Sequence, residues 1–78
     1  MNFTKARTLC RELGFTLRKT GSGDEVVLKV RGARDTDGYF TNDMEEVLER
    51  LVSAAEAAGS AAWTALARLH LESLRAMA

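Results

Sequence analysis

The fold of this chain is decided by residues 37–58, which read Asp37-Gly-Tyr-Phe-Thr-Asn-Asp-Met-Glu-Glu-Val-Leu-Glu-Arg-Leu-Val-Ser-Ala-Ala-Glu-Ala-Ala58. Apolar side chains recur in this stretch at the spacing that places them on one face of an α-helix. They are Met44, Val47, Leu48, Leu51, Val52 and Ala55. Asn42, three residues before Glu45, is predicted to cap the helix as part of a capping box, with Thr41 as a competing cap. The stretch therefore predicts a central helix with one apolar face.

The residues before the central helix predict another helix and a small antiparallel sheet. Apolar residues at helical spacing run from about Phe3 to Leu13, and Gly14 is expected to end that helix. Largely alternating apolar and polar residues at 15–20 and 26–31 flank a glycine-containing loop, which is typical of a β-hairpin. Tyr39-Phe40 is predicted to add a short third strand and complete a meander.

The alternation also predicts which side of the sheet faces the core, because successive strand residues point to opposite faces. The inner face is predicted to hold Phe15, Leu17, Val26, Leu28 and Val30. The outer face is predicted to hold Thr16, Arg18, Thr20, Val27, Lys29 and Arg31. We expect the apolar face of the central helix to pack on the inner face of the sheet.

A third helix is predicted from Ala61 to about Met77, because Gly59 and Ser60 form a helix stop followed by a new cap. Its apolar residues cover more than one stripe, which is more surface than we expect one small domain to bury. We therefore predict a homodimer with a contact that includes Trp63, Leu66, Leu69, Leu71 and Leu74. The alternative is that this helix folds back across the other elements as part of the core.

Length and composition indicate a single globular unit. At 78 residues the chain is expected to form one domain, residues 1–78, with 46% apolar and 28% charged residues, which is ordinary globular usage. The predicted class is α+β, a three-stranded meander packed by helices in the order α-β-β-(β)-α-α. Residues 1–58 are expected to form the core unit, and residues 59–78 the C-terminal helix and possible dimerisation element.

The sequence also indicates a compartment. The single cysteine, Cys10, has no partner for an internal disulfide and lies on an apolar helix stripe. The N-terminal residues lack the apolar run of a signal peptide, and no run approaches the roughly 18 apolar residues of a membrane span. We therefore expect a cytoplasmic protein without a membrane partner.

The net charge of zero hides an asymmetry between the two halves of the chain. Residues 1–34 contain eight basic and three acidic residues, whereas residues 35–78 contain eight acidic and three basic residues. Such a division favours an electrostatic partner. The alternative is that the two halves face and neutralise one another.

Residue types that support catalysis are sparse. Cys10 and His70 are single residues on different predicted helices, so neither a metal site nor a nucleophile beside a base is expected. Gly21-Ser-Gly23 is followed by a strand rather than a helix, so it is interpreted as a hairpin turn and not as a phosphate loop. The sequence predicts no catalytic residues, no metal and no cofactor, and hence a protein that is not an enzyme.

Two charged surfaces are candidate binding sites. The first, the acidic rim, surrounds the third strand and continues along the central helix, with one aromatic residue as its anchor: Asp35, Asp37, Tyr39, Asp43, Glu45, Glu46 and Glu49. The second, the basic sheet face, is predicted on the outer side of the hairpin: Arg18, Lys19, Lys29, Arg31 and Arg34. The acidic rim suits a basic protein groove that normally holds phosphate, and the basic sheet face suits phosphate or an acidic protein. Glu46 and Arg50 are spaced as an i,i+4 ion pair on the central helix, which would neutralise part of the acidic charge.

The order of elements resembles the double-stranded-RNA-binding fold and the HicA-type ribonuclease toxins built on it. Leu9 to Leu28 is similar to the opening of those toxins, where a helix ends in Gly-Phe or Gly-Trp before a basic strand and a Gly-Ser turn. The toxins carry their catalytic histidine directly after Gly-Ser, and this chain has Gly23 there. The RNA-binding domain places lysines at the start of its last helix. This chain has Asn42, Asp43, Glu45 and Glu46 there, which would repel phosphate.

A closer resemblance covers Gly14 to about Ala57. Phe15-Thr-Leu-Arg-Lys19, Val30-Arg-Gly32 and Tyr39-Phe-Thr-Asn-Asp-Met-Glu45 are similar to the layout of small proteins of prophages, plasmids and integrative elements. That resemblance implies an accessory gene of a mobile element, a class that includes anti-CRISPR proteins and other small inhibitors of host machines.

The function expected from the sequence is therefore non-enzymatic binding. The first hypothesis is a phage or mobile-element inhibitor of a host protein or nucleoprotein complex. The alternative is a nucleic-acid-binding module that uses the basic sheet face. A third hypothesis is a remote relative of the ribonuclease toxins.

Overall fold

The computed structural model describes residues 3–77, so the ends of the predicted domain, residues 1, 2 and 78, lie outside it. Three helices and three strands follow one another in the predicted α+β order. They are α1 (Phe3–Glu12), β1 (Phe15–Lys19), β2 (Val26–Val30), β3 (Tyr39–Thr41), α2 (Met44–Ala57) and α3 (Ala61–Met77), with a single turn of 3-10 helix at Asp35–Asp37 between β2 and β3.

The strands form the predicted antiparallel meander in the order β1-β2-β3. Leu17 lies opposite Leu28, and Leu28 lies opposite Tyr39, so one row of side chains crosses the sheet on its inner face. Gly14 makes the sharp change of direction from α1 into β1 at a φ of 85°, a conformation that glycine adopts without steric cost.

The N-terminus of α2 differs from the prediction. Asp43, rather than Asn42 or Thr41, is the cap: its carboxylate accepts a hydrogen bond of 2.9 Å from the backbone N–H of Glu45. β3 continues through Thr41, so the chain enters the helix two residues later than a Thr41 cap would require. A carboxylate at this position also interacts favourably with the helix dipole.

One hydrophobic cluster joins the helices to β1 and β2. Leu48 and Leu51 of α2 are completely buried, as are Ala6 and Cys10 of α1 and Ala67 of α3. The apolar stripe of α2 therefore occupies the centre of the fold, as its spacing predicted.

Two residues of β2 differ in burial from what the predicted face assignment implies. Val27, predicted to line the outer face, is completely buried on that face, whereas Val30, predicted to join the core, is 60% exposed. Val30 is the last residue of β2 and lines an open groove instead of lying beneath a helix. Val27 is covered because the segment that follows β2 returns across the outer face, where Gly38 packs against it.

α3 folds back along α2, which is the alternative stated for this helix. Ion pairs join Glu56 to Arg68 at 3.2 Å and Glu45 to Arg75 at 2.7 Å, so the two helices run antiparallel. Ser60 caps α3 through a hydrogen bond of 3.2 Å from the backbone N–H of Trp63 to its hydroxyl. No helix within residues 3–77 has the length and apolar character needed to cross a membrane.

Leu48→Ala tests the core. Because the side chain is fully buried, the substitution is expected to lower the free energy of unfolding by about 2–5 kcal/mol, measured by urea denaturation. Leu69→Ala is the matched control, since the same atoms are removed from a side chain that is 60% exposed. A similar loss in both variants would contradict the central position of α2.

Gly38→Ala tests the return of the chain across the sheet. A Cβ at this position would lie 2.5 Å from Cγ2 of Val27 and 3.1 Å from the carbonyl oxygen of Asp35, so the substitution is expected to cost about 1–3 kcal/mol. The cost should shrink in a Val27→Ala background, where the clashing methyl is absent. An equal cost in both backgrounds, or an equal cost for the exposed neighbour Thr36→Ala, would refute the proposed close approach.

Candidate functional site

The basic sheet face is largely neutralised within the molecule. Asp35, in the 3-10 turn, accepts hydrogen bonds from the Arg18 guanidinium and from Lys29, whose Nζ lies 2.7 Å from its carboxylate. The hydrogen bond from Lys29, together with the hydrogen bond and charge of Arg18, lowers the pKa of the Asp35 carboxyl. Asp37 pairs with Arg34 at 3.4 Å. Three of the five predicted cations are thus paired with carboxylates of the acidic rim.

The other two predicted cations turn away from the outer face. Lys19 places its Nζ 5.1 Å from the centroid of the Phe3 ring, on the side of α1. The Arg31 guanidinium donates a hydrogen bond to the backbone carbonyl of Arg11 at the end of α1. The five residues therefore do not form the single surface that the strand alternation predicted.

The acidic rim is also divided. Asp35 lies on the outer side of the sheet, and Asp43 is occupied as the cap of α2. Glu45 and Glu49 face Arg75 of α3, at 2.7 Å and 3.8 Å from its guanidinium nitrogens. Four members of the rim nevertheless line one groove together: Asp37, Tyr39, Glu46 and Glu49.

The side chains predicted for the dimer contact are divided between core and surface. Leu71 is buried, and Trp63 and Leu74 pack against the core cluster. Leu66 and Leu69 remain exposed on the outer side of α3.

The groove lies between the end of the sheet and α2, with a volume of about 800 Å³. Its apolar lining comes from the inner face of the sheet and from α2: Phe15, Leu28, Val30 and Leu51. Lys29 and Arg50 add positive charge to the lining, next to the three carboxylates of the rim. The groove thus combines an apolar floor with a mixed but mainly acidic border.

Tyr39 is held in this groove by both neighbouring elements. Its hydroxyl donates a hydrogen bond to the Glu46 carboxylate, which also accepts one of 3.0 Å from the Thr41 hydroxyl. The Arg50 guanidinium lies over the Tyr39 ring, 3.5 Å from its centroid. Glu46 and Arg50 are four residues apart on α2, so the helix places both on the side that faces β3. The tyrosine ring is therefore fixed before any partner arrives.

The protonation of this cluster favours binding over proton transfer. The hydrogen bond from Tyr39, followed by that from Thr41, lowers the pKa of Glu46. The same bond to Glu46, together with burial, raises the pKa of Tyr39, and Arg50 opposes this rise. At neutral pH the carboxylate is charged and the phenol is neutral, so neither group is poised to exchange a proton.

The remaining chemically active side chains lie outside the groove. Burial raises the pKa of the Cys10 thiol to about 12, so the sulfur stays protonated at neutral pH. Burial and the nearby charge of Lys5 lower the pKa of His70 on α3. Residues 3–77 contain no group of three or more histidine, cysteine, aspartate or glutamate residues arranged to hold a metal ion.

Comparison of the chain with protein-family models, with curated proteins and with solved structures finds no match. The groove is therefore interpreted from its own residues. Sequence reasoning missed Arg50 as a groove residue, although its i,i+4 spacing from Glu46 was visible. It also missed the role of Asp35, since the sequence does not show that the 3-10 turn lies over Arg18 and Lys29.

The Tyr39 environment is testable by absorbance, because Tyr39 is the single tyrosine of the chain. Its phenol should ionise above the ordinary pKa of 10.0, and Glu46→Gln should move the midpoint back toward that value. Since the unfolded chain ionises more easily, the contribution of Tyr39 to stability is present below pH 10 and is lost as the pH rises through the folded pKa. Arg50→Gln should move the midpoint in the opposite direction from Glu46→Gln. Equal midpoints in all three proteins would show that the cluster does not form.

Proposed function

We propose that the protein is a non-catalytic binding protein that engages a protein partner through the groove between the sheet and α2. The observation that carries this proposal is the stacked Tyr39–Arg50 pair, fixed by Glu46. Tyrosine and arginine are among the residues in which binding energy concentrates at protein interfaces. Because the pair is already ordered, a partner does not have to order it at the cost of conformational entropy.

The composition of the groove supports a protein partner over a nucleic acid at this site. Its charged border holds three carboxylates, Asp37, Glu46 and Glu49, against two cations. Such a border offers phosphate no net attraction, while the apolar floor suits an apolar side chain of a partner. The nucleic-acid alternative is weakened further because Asp35 neutralises the centre of the basic sheet face.

The narrower form of the proposal is an inhibitor of a host protein or nucleoprotein complex, encoded by a phage or mobile element and acting in the cytoplasm. It is supported by the resemblance of Tyr39-Phe-Thr-Asn-Asp-Met-Glu45 and the preceding hairpin to small proteins of such elements. The accessory proteins of mobile elements include anti-CRISPR proteins. The carboxylates at the groove would meet a lysine- or arginine-lined site of the target. The homodimer through α3 stays a prediction, with Leu66 and Leu69 as its accessible residues.

A photo-crosslinking amino acid at Ser53 tests the groove in cells. Ser53 is exposed at the groove border, and Ser22, exposed in the loop between β1 and β2 and outside the groove, is the matched control position. We expect a protein adduct from position 53, and we expect Tyr39→Ala or Arg50→Ala to weaken binding of the isolated partner by roughly 30-fold or more. Arg68→Ala, which removes a guanidinium outside the groove, should leave the affinity unchanged.

Adducts from position 22 alone, or binding that survives both groove substitutions in folded protein, would refute the groove as the binding site. The inhibitor form is tested with the same variants against a panel of purified CRISPR effector complexes, with target cleavage as the readout. Wild-type protein should block cleavage by one of them, and Tyr39→Ala should relieve the block. If no complex of the panel is affected, the anti-CRISPR form of the proposal is wrong, while the crosslinking result still decides the binding function.

A further inference from the structure

A row of cations follows the edge of the molecule formed by α1 and β1. Arg7 and Arg11 lie one helical turn apart on α1, Lys19 lies at the end of β1, and Arg31 follows β2. We call these four residues the basic edge. All four are exposed, and none of them forms an ion pair with a carboxylate of residues 3–77.

The basic edge is held in place by contacts that leave its charges available. Lys19 and Arg7 both lie over the Phe3 ring, with Nζ 5.1 Å and Cζ 5.8 Å from its centroid. Phe3 in turn packs against the hydrophobic core. Arg31 donates to the carbonyl of Arg11, which ties the strand end to the end of α1. These partners are a neutral ring and a neutral carbonyl, so they order the cations without cancelling their charge.

The basic edge differs in this respect from the other cations of the sheet and of α3. Arg18 and Lys29 share the carboxylate of Asp35, and Arg68 pairs with Glu56. Acidic Glu12 is on α1 as well, but the helical repeat directs it about 100° around the axis from Arg11. Positive charge that no carboxylate of residues 3–77 neutralises is therefore concentrated along the basic edge.

We propose that the basic edge binds the phosphate backbone of a nucleic-acid duplex without reading its base sequence. A duplex presents one negative charge per roughly 1.7 Å of its axis, and the ten residues of α1 extend over about 15 Å, so several phosphates lie within reach of the row. Single-strand recognition uses free aromatic faces on which bases stack, and Phe3, next to the basic edge, already has cations over its ring. The match is therefore to a duplex backbone.

This surface is independent of the proposed groove, because no residue lines both. Four phosphate contacts predict that the logarithm of the association constant falls with the logarithm of salt concentration with a slope of about −3.6. Binding of this kind is weak, with dissociation constants of roughly 10⁻⁴ to 10⁻⁶ M near physiological salt, and it is similar for unrelated sequences.

Fluorescence anisotropy with labelled DNA and RNA duplexes tests the proposal, at salt concentrations from about 50 to 200 mM. The wild-type protein should bind duplexes of unrelated sequence equally and show the steep slope. Arg7→Gln/Arg11→Gln should make the slope shallower by about 2 and weaken binding at low salt by about tenfold or more. Arg68→Gln/Arg75→Gln removes the same number of charges on α3 and should change the affinity less than twofold. If the α1 variant does not fold by circular dichroism, Lys19→Gln/Arg31→Gln takes its place with the same expected result.

Three results would overturn the proposal. One is the absence of binding at the lowest salt concentration, or binding that does not weaken as the salt concentration rises. Another is an equal loss in the α3 variant, which would show that overall charge alone controls the interaction. The third is tighter binding of a labelled poly-glutamate peptide of equal charge than of either duplex, which would assign the basic edge to an acidic protein partner. Preference between the DNA and RNA arms identifies which duplex geometry the edge fits.

Discussion

Burial of the α2 stripe is the constraint on which the rest of the structure depends. Leu48 and Leu51 are completely enclosed, with β1 and β2 contributing to one part of the cluster and α1 and α3 to the others. The same helix that fills the core also directs Glu46 and Arg50 toward β3. The groove is therefore a consequence of the packing of α2, because a rotation of the helix that moved Arg50 off Tyr39 would also expose the leucines.

The elements themselves could be predicted because their causes are local. A helical stripe, a glycine at a helix end and alternation in a strand depend on residues within a few positions of one another, and α1, the hairpin and α2 followed from them. Val27 and Val30 could not be assigned in this way. Their burial depends on whether the 3-10 turn or a helix lies above them, which is a non-local fact. The Asp43 cap was missed for a different, local reason, since its neighbours Thr41 and Asn42 carry equally suitable side chains.

The candidate binding surfaces could be predicted only in part, because the number of charged residues in a sequence does not show which of them form ion pairs. The sequence has a basic and an acidic half. In the structure Asp35 of the acidic half forms ion pairs with two cations of the hairpin, Arg18 and Lys29. Glu45, Glu49 and Glu56 of α2 are paired with arginines of α3. Tyr39 alone was recognised as an anchor from its residue type. Its partner Arg50 emerges only when β3 and α2 are placed side by side.

The connectivity of the fold has a consequence for how quickly it forms. Elements in contact are mostly neighbours along the chain: α1 lies against β1, β1 against β2, β2 against β3, and α2 against α3. Little loop-closure entropy is lost when such neighbours meet, and domains dominated by local contacts fold within milliseconds or faster. The long-range step is the docking of α1, whose Ala6, Leu9 and Cys10 join the cluster built around α2. A nascent chain would therefore complete its core only after α3, which supplies Ala67 and Leu71 to the cluster, has been synthesised.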